Sequence, residues 1–86
     1  SEKQCYFTGR TDCLESHHIY YGQGRRKLSE QYGLKVWLTH DLHNEPPQGV
    51  HFNRNARRYL EQVGQKAFEQ HYPELDFRAL FCKNYL

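Results

Sequence analysis

The 86-residue chain predicts an α+β fold: a twisted antiparallel hairpin, a short histidine-bearing helix, a longer C-terminal helix over the sheet, and a short final helix. Three observations predict it. β-branched and aromatic residues crowd short stretches of the first forty positions, with glycine- and turn-rich segments between them. The pair Pro46-Pro47 closes that half. Beyond it, apolar residues recur at three- and four-residue steps, the period of one helical face.

Taken in order, residues 4–8 and 14–21 read as strands, divided by the turn-prone Gly9-Arg10-Thr11-Asp12. Gly22 and Gly24 open a loop. Residues 25–32 form a short helix stopped by Gly33, the residue type favoured just past a helix end. Residues 34–38 make a brief apolar strand with Trp37 in the core. Thr39 is the N-cap of a helical stretch that must end at Pro46-Pro47. Asn53 or Asn55 caps a helix running to about Tyr72, with Ala56, Tyr59, Leu60, Val63, Ala67 and Phe68 on its buried face. His71 stands beside the last carbonyls of that helix, and Pro73 stops it. A final helix from about Glu74 returns Leu75, Leu80 and Phe81 to the core, with Cys82 as a small core residue.

Residues 1–86 are read as one domain, too short for two cores. Seven Tyr, five Phe and one Trp supply most of the large apolar groups, so the core is thin and the polar surface wide. The net charge of +2 is unevenly spread. Up to Arg58 there are nine Lys/Arg against six Asp/Glu, a net of +3; from Tyr59 onward there are three against four, a net of −1. A positive half that also carries the histidines suits a polyanionic partner. Three cysteines, an odd count with no apolar leader before them, argue for free thiols in a reducing cytoplasm. No apolar run reaches the roughly 18–20 residues needed to span a bilayer, so no membrane is expected.

The chemistry-bearing residues are histidines. His17-His18 closes one strand, and His43 follows a second strand in a helical turn. Imidazole is neutral at pH 7 at little cost, so it serves both as metal ligand and as proton acceptor. Phosphodiester hydrolysis needs a deprotonated water, neutralised phosphate charge and help for the leaving oxygen. One histidine taking the proton, beside a metal held by others, meets all three needs.

The pattern Leu14-Glu15-Ser16-His17-His18-Ile19, then Val36-Trp37-Leu38-Thr39-His40-Asp41-Leu42-His43-Asn44, resembles the HNH, or His-Me finger, nucleases. With its glycine-rich loop and its Gly49-Val50-His51-Phe52-Asn53 element it is similar to small phage-encoded HNH proteins, over residues 5–86. The resemblance implies a ββα-metal core and metal-dependent cleavage of DNA. It implies His17 as a metal ligand, His18 as general base, His43 as a second ligand, and His51 as the further histidine of colicin-type members. It also implies the cytoplasm of a bacterial host if the chain is phage-encoded. An all-imidazole site favours zinc, nickel, cobalt or manganese over magnesium, which prefers oxygen. Arg25, Arg26, Lys27, Arg54, Arg57 and Arg58 flank the histidines in sequence and are the expected grips on DNA phosphates.

Two departures from the family stand out. Where many members bind a structural zinc through two Cys-x-x-Cys pairs, this chain has Cys5…Thr8 and Thr39…Leu42, so that site is expected to be absent. The middle Asn of the family's name is replaced near Gly33-Leu34, so the loop between the strands must be tied down by Trp37 packing or by backbone contacts. His40, three residues before His43, is read as exposed, and Asn44 and Asn53 as caps. A Cys2His2 site of Cys5, Cys13, His40 and His43 is a minor alternative. The rival functions are a nucleic-acid- or protein-binding module built on a closed structural metal, and an inactive HNH-derived phage adaptor.

Overall fold

A computed structural model of the chain describes residues 3–86 and shows a small α+β fold. Strand β1 (Leu14–His18) pairs antiparallel with β2 (Lys35–Thr39) in a two-stranded sheet, placing His17 opposite Val36 and His18 opposite Lys35. Helix α1 (Arg25–Gln31) lies between the strands in sequence. Helix α2 (His40–Asn44) follows β2 directly, and α3 (Arg54–His71) and α4 (Phe77–Phe81) complete the chain.

The expected strand over residues 4–8 does not form. Cys5 makes a single parallel bridge to Trp37, and the chain then turns back on itself through Cys5 N–H to the Arg10 carbonyl (2.8 Å) and Gly9 N–H to the Cys5 carbonyl (2.9 Å). Gly9 supplies the positive φ of 77° that this turn needs. The strand expected over 14–21 ends at His18. Ile19 N–H still reaches the Leu34 carbonyl at 3.0 Å, but Tyr20 then leaves the ladder for a side chain. Its N–H donates to Ser29 Oγ (3.0 Å), and the Ser29 hydroxyl donates to the Tyr20 carbonyl (2.8 Å). Leu34 N–H bonds the Ser29 carbonyl at 2.8 Å. This fully buried serine ties the interstrand segment down.

Trp37 does none of that work. It is 37% exposed, with Lys3 Nζ 4.3 Å from its ring centroid. The two-residue period of β2 explains this: Leu38 is fully buried, so its neighbour Trp37 must point the other way. Cys82 is also exposed, because it takes φ 60° at the end of α4 and turns out of the core. Leu75 and Tyr59 lie outside the core as well, at 39% and 51% exposure. Phe77, not Leu75, packs inward beside Phe81.

The remaining boundaries follow local chemistry. Asn53 caps α3 by accepting from Ala56 N–H at 3.1 Å, and Asp76 caps α4 by accepting from Arg78 and Ala79 N–H. Thr39 occupies the N-cap of α2 in extended conformation, without a capping bond from its hydroxyl. The core gathers Tyr20, Leu38, Val50, Leu60, Phe68, Phe77 and Phe81. Gly64 lets α3 approach β1's end closely: a Cβ there would lie 2.7 Å from the Tyr20 hydroxyl oxygen. Among the described residues no helix is long and apolar enough to cross a membrane.

Candidate metal centre

Three elements each deliver one imidazole to a common point. On β1 the inward position is His17, only 2% exposed. The single turn of α2 presents His43. His51 comes from the turn before α3, which is held against α2 by Val50 N–H to the Leu42 carbonyl (2.7 Å) and Gly49 N–H to the Glu45 carbonyl (2.6 Å). Gly49 permits that closure, since a Cβ there would meet the Glu45 backbone at 2.8 Å. One ligand nitrogen from each of His17, His43 and His51 lies within 4.8 Å of the others. Three histidines therefore stand close enough to hold a metal ion.

The donor set fits a cation. The Glu15 carboxylate accepts from His43 Nδ1 at 2.8 Å, which fixes the proton there and leaves the Nε2 lone pair facing the cluster. His43 Nε2 and His51 Nε2 are 3.2 Å apart. Two nitrogens bound at about 2.05 Å to one tetrahedral zinc stand about 3.3 Å apart, so this pair already has ligand spacing. Buried His17 Nε2 has no hydrogen-bond partner among the described residues. Leaving such a group unpaired costs about 1–3 kcal/mol, and a coordinated ion would satisfy it.

Burial disfavours the charged form of two of these imidazoles, His17 and His51. Burial, reinforced by His43, His51 and His18 nearby, pushes the His17 pKa down to about 3. Burial first, then His43 and Arg57, lowers that of His51. Glu15 is held below the usual carboxylate range by its hydrogen bonds to His43 and then His40. The same carboxylate accepts from His40 Nδ1 (2.8 Å) and Asn44 Nδ2 (3.0 Å), so His40 is drawn outward and its pKa is raised. Asn44 serves this carboxylate and does not act as a cap.

The folded pKa of His17 lies below its unfolded value of about 6.5, so the unfolded chain binds the extra proton first. Stability without metal is expected to be complete above about pH 6.5 and to fall toward pH 3, by up to about 1.4 kcal/mol per pH unit. Denaturant midpoints in chelator at pH 7 and pH 5 check this, and equal midpoints contradict it. A second expectation concerns Glu15. Glu15→Ala frees the His43 ring and should weaken metal affinity about 10–100-fold in a competitive chelator titration. Unchanged affinity would mean that packing alone holds the ring.

His18 stands apart from this cluster but opens on the same pocket, of about 240 Å³, together with Ser16, Tyr21, Arg26 and the three clustered histidines. Adjacent strand residues point to opposite sides, and here the pocket spans the strand's end so that both reach it. Lys27 lies in an adjoining hollow with His18, Arg26 and Glu30. Arg25 donates from Nε to the Phe81 carbonyl at 3.0 Å, tying α1 to the end of α4. Arg54, Arg57 and Arg58 line a separate hollow on α3 with Glu61 and the C-terminal residues.

The cysteines take no part in this centre. His17, His43 and His51 form the one metal-capable group of three or more among the described residues, and the Cys2His2 alternative does not assemble. Cys13 is exposed, while Cys5 is buried. Burial raises the Cys5 pKa, but hydrogen bonds from the Thr8 side chain and from the Thr39, Thr8 and Phe7 backbone outweigh it and bring it to about 7. Cys5, Thr8 and Thr39 thus meet through hydrogen bonds. Sequence reasoning missed Glu15, Glu30 and Tyr21. Glu15 was within its reach, being two residues before His17 on one strand face.

Comparison of the chain with protein-family models, with curated proteins and with solved structures found no match in any of the three.

Proposed function

We propose that the chain is a divalent-metal-dependent nuclease with a ββα-metal core of HNH type, cleaving DNA phosphodiester bonds. The observation that carries this reading is the convergence of three imidazoles beside, but separate from, a fourth in the same pocket. The order β1, β2, α2 and the antiparallel register support it. So does the meeting of Cys5, Thr8 and Thr39.

In this reading His17, His43 and His51 hold the ion. Bound there, a divalent ion supplies charge neutralisation at the phosphate and at the departing oxygen. His18 takes the proton from the attacking water. Arg26 and Lys27 grip the phosphate next to His18, and Arg54, Arg57 and Arg58 extend the cationic surface along α3. Arg25 has part of its guanidinium engaged by the fold and contributes less to DNA. Imidazole ligands favour zinc, nickel, cobalt or manganese over magnesium. A bacterial cytoplasm belongs to the same reading.

Supercoiled plasmid incubated with the protein and nickel, manganese or zinc should be relaxed, and chelator should stop the reaction. A protein shown to carry one ion per chain that nicks DNA with none of these ions would instead be a binding module with a structural metal.

A further inference from the structure

We propose that Glu30 is a positioning residue for His18, holding its ring with the proton on Nε2 and the lone pair of Nδ1 free to accept from water. The inference rests on the nuclease reading above, and it concerns a residue that neither the metal cluster nor the family motif includes.

The fold builds this contact from three elements. The β-ladder sets His18 directly opposite Lys35. The last turn of α1 then places Glu30 over both: one carboxylate oxygen lies 2.9 Å from His18 Nε2 and the other 2.7 Å from Lys35 Nζ. Its position is not accidental, because the preceding residue, Ser29, is fully buried and bonded to the end of β1. A carboxylate only accepts hydrogen bonds, so His18 Nε2 must be the donor. Among the described residues nothing bonds His18 Nδ1, which is the nitrogen left to act as base. Lys35 holds the second oxygen and fixes the carboxylate's rotation. Hydrogen bonds from Lys35 first, and then His18, keep Glu30 ionised below the usual carboxylate range. The His18 side chain is 16% exposed and that of Glu30 61%, so solvent screens the pair and the effect belongs to orientation more than to charge.

The two substitutions at this position differ in a way that packing alone does not predict. Glu30→Ala leaves the ring unguided. In Glu30→Gln, Lys35 can only donate, so it claims the amide oxygen and turns the amide NH2 toward His18. Nε2 must then accept, the ring proton moves to Nδ1, and the lone pair is lost from the reactive side.

The test uses the full chain loaded with zinc. Ring 15N NMR at about pH 8, above the reference imidazole pKa, should show His18 protonated on Nε2 in the wild type and on Nδ1 in Glu30→Gln. DNA cleavage should fall roughly ten- to hundredfold in Glu30→Gln and less in Glu30→Ala, below the ~10²–10⁴ carried by the base itself. KM and metal content should not change. In a His18→Ala background, Glu30→Gln should add nothing. The same tautomer in wild type and Glu30→Gln overturns the proposal, as does wild-type cleavage by both variants. A tautomer swap in a wild type that cuts no DNA supports the Glu30–His18 orientation and overturns only the nuclease reading.

Discussion

Replacing His18 by alanine is expected to slow DNA cleavage about 10²–10⁴-fold, the usual contribution of a general base. Metal content and DNA affinity should stay at wild-type levels. The separation follows from the structure. His18 is not one of the three imidazoles whose nitrogens converge, and its Nε2 is engaged by Glu30. The three clustered histidines and the arginines are untouched by its loss. Wild-type cleavage by His18→Ala would remove this residue from the mechanism. Loss of metal together with activity would make it a ligand.

The second large effect is on stability. An ion that binds only the folded chain raises stability by about 4.1 kcal/mol at a free concentration of 1,000 Kd. For a domain of this size each kcal/mol is about 4–8 °C in Tm, so the wild type should melt some tens of degrees higher with metal than with chelator. His17→Ala should lose most of that shift, since His17 is the most buried member of the cluster and its Nε2 finds no protein partner. Metal held weakly by histidines of the unfolded chain trims the shift without abolishing it. Melting curves with and without nickel on both proteins make the measurement. Equal metal-induced shifts in wild type and His17→Ala would place the ion elsewhere.

How much was legible beforehand depends on how local each cause is. The long helix could be read from its apolar steps and from Asn53, because both signals lie within the segment they shape. The histidine cluster was legible as a pattern: His17, His43 and His51 sit at strand, helix and turn positions that stand out in the sequence, and the structure brings them close enough to hold a metal ion. The strand expected at residues 4–8 failed because strand formation needs a partner, and only the Cys5–Tyr6 backbone reaches the edge of β2, at Trp37. Trp37 and Cys82 were misplaced by residue type, which the two-residue period of β2 and the φ of 60° at Cys82 override. Ser29 as the clasp of the interstrand segment was out of reach, as was Glu30 beside His18. Both contacts exist only once α1 is folded against the end of β1.

The coordination of the ion in the metal-loaded protein, read by X-ray absorption or from a crystal structure of that form, separates a hydrolytic centre from a structural one. Three imidazole nitrogens, from His17, His43 and His51, with at least one position left to solvent and no sulfur ligand, are expected, because an open position is what hydrolytic metal centres keep. Four protein ligands closing a tetrahedron, or any cysteine among them, would contradict this and make the centre a structural clasp.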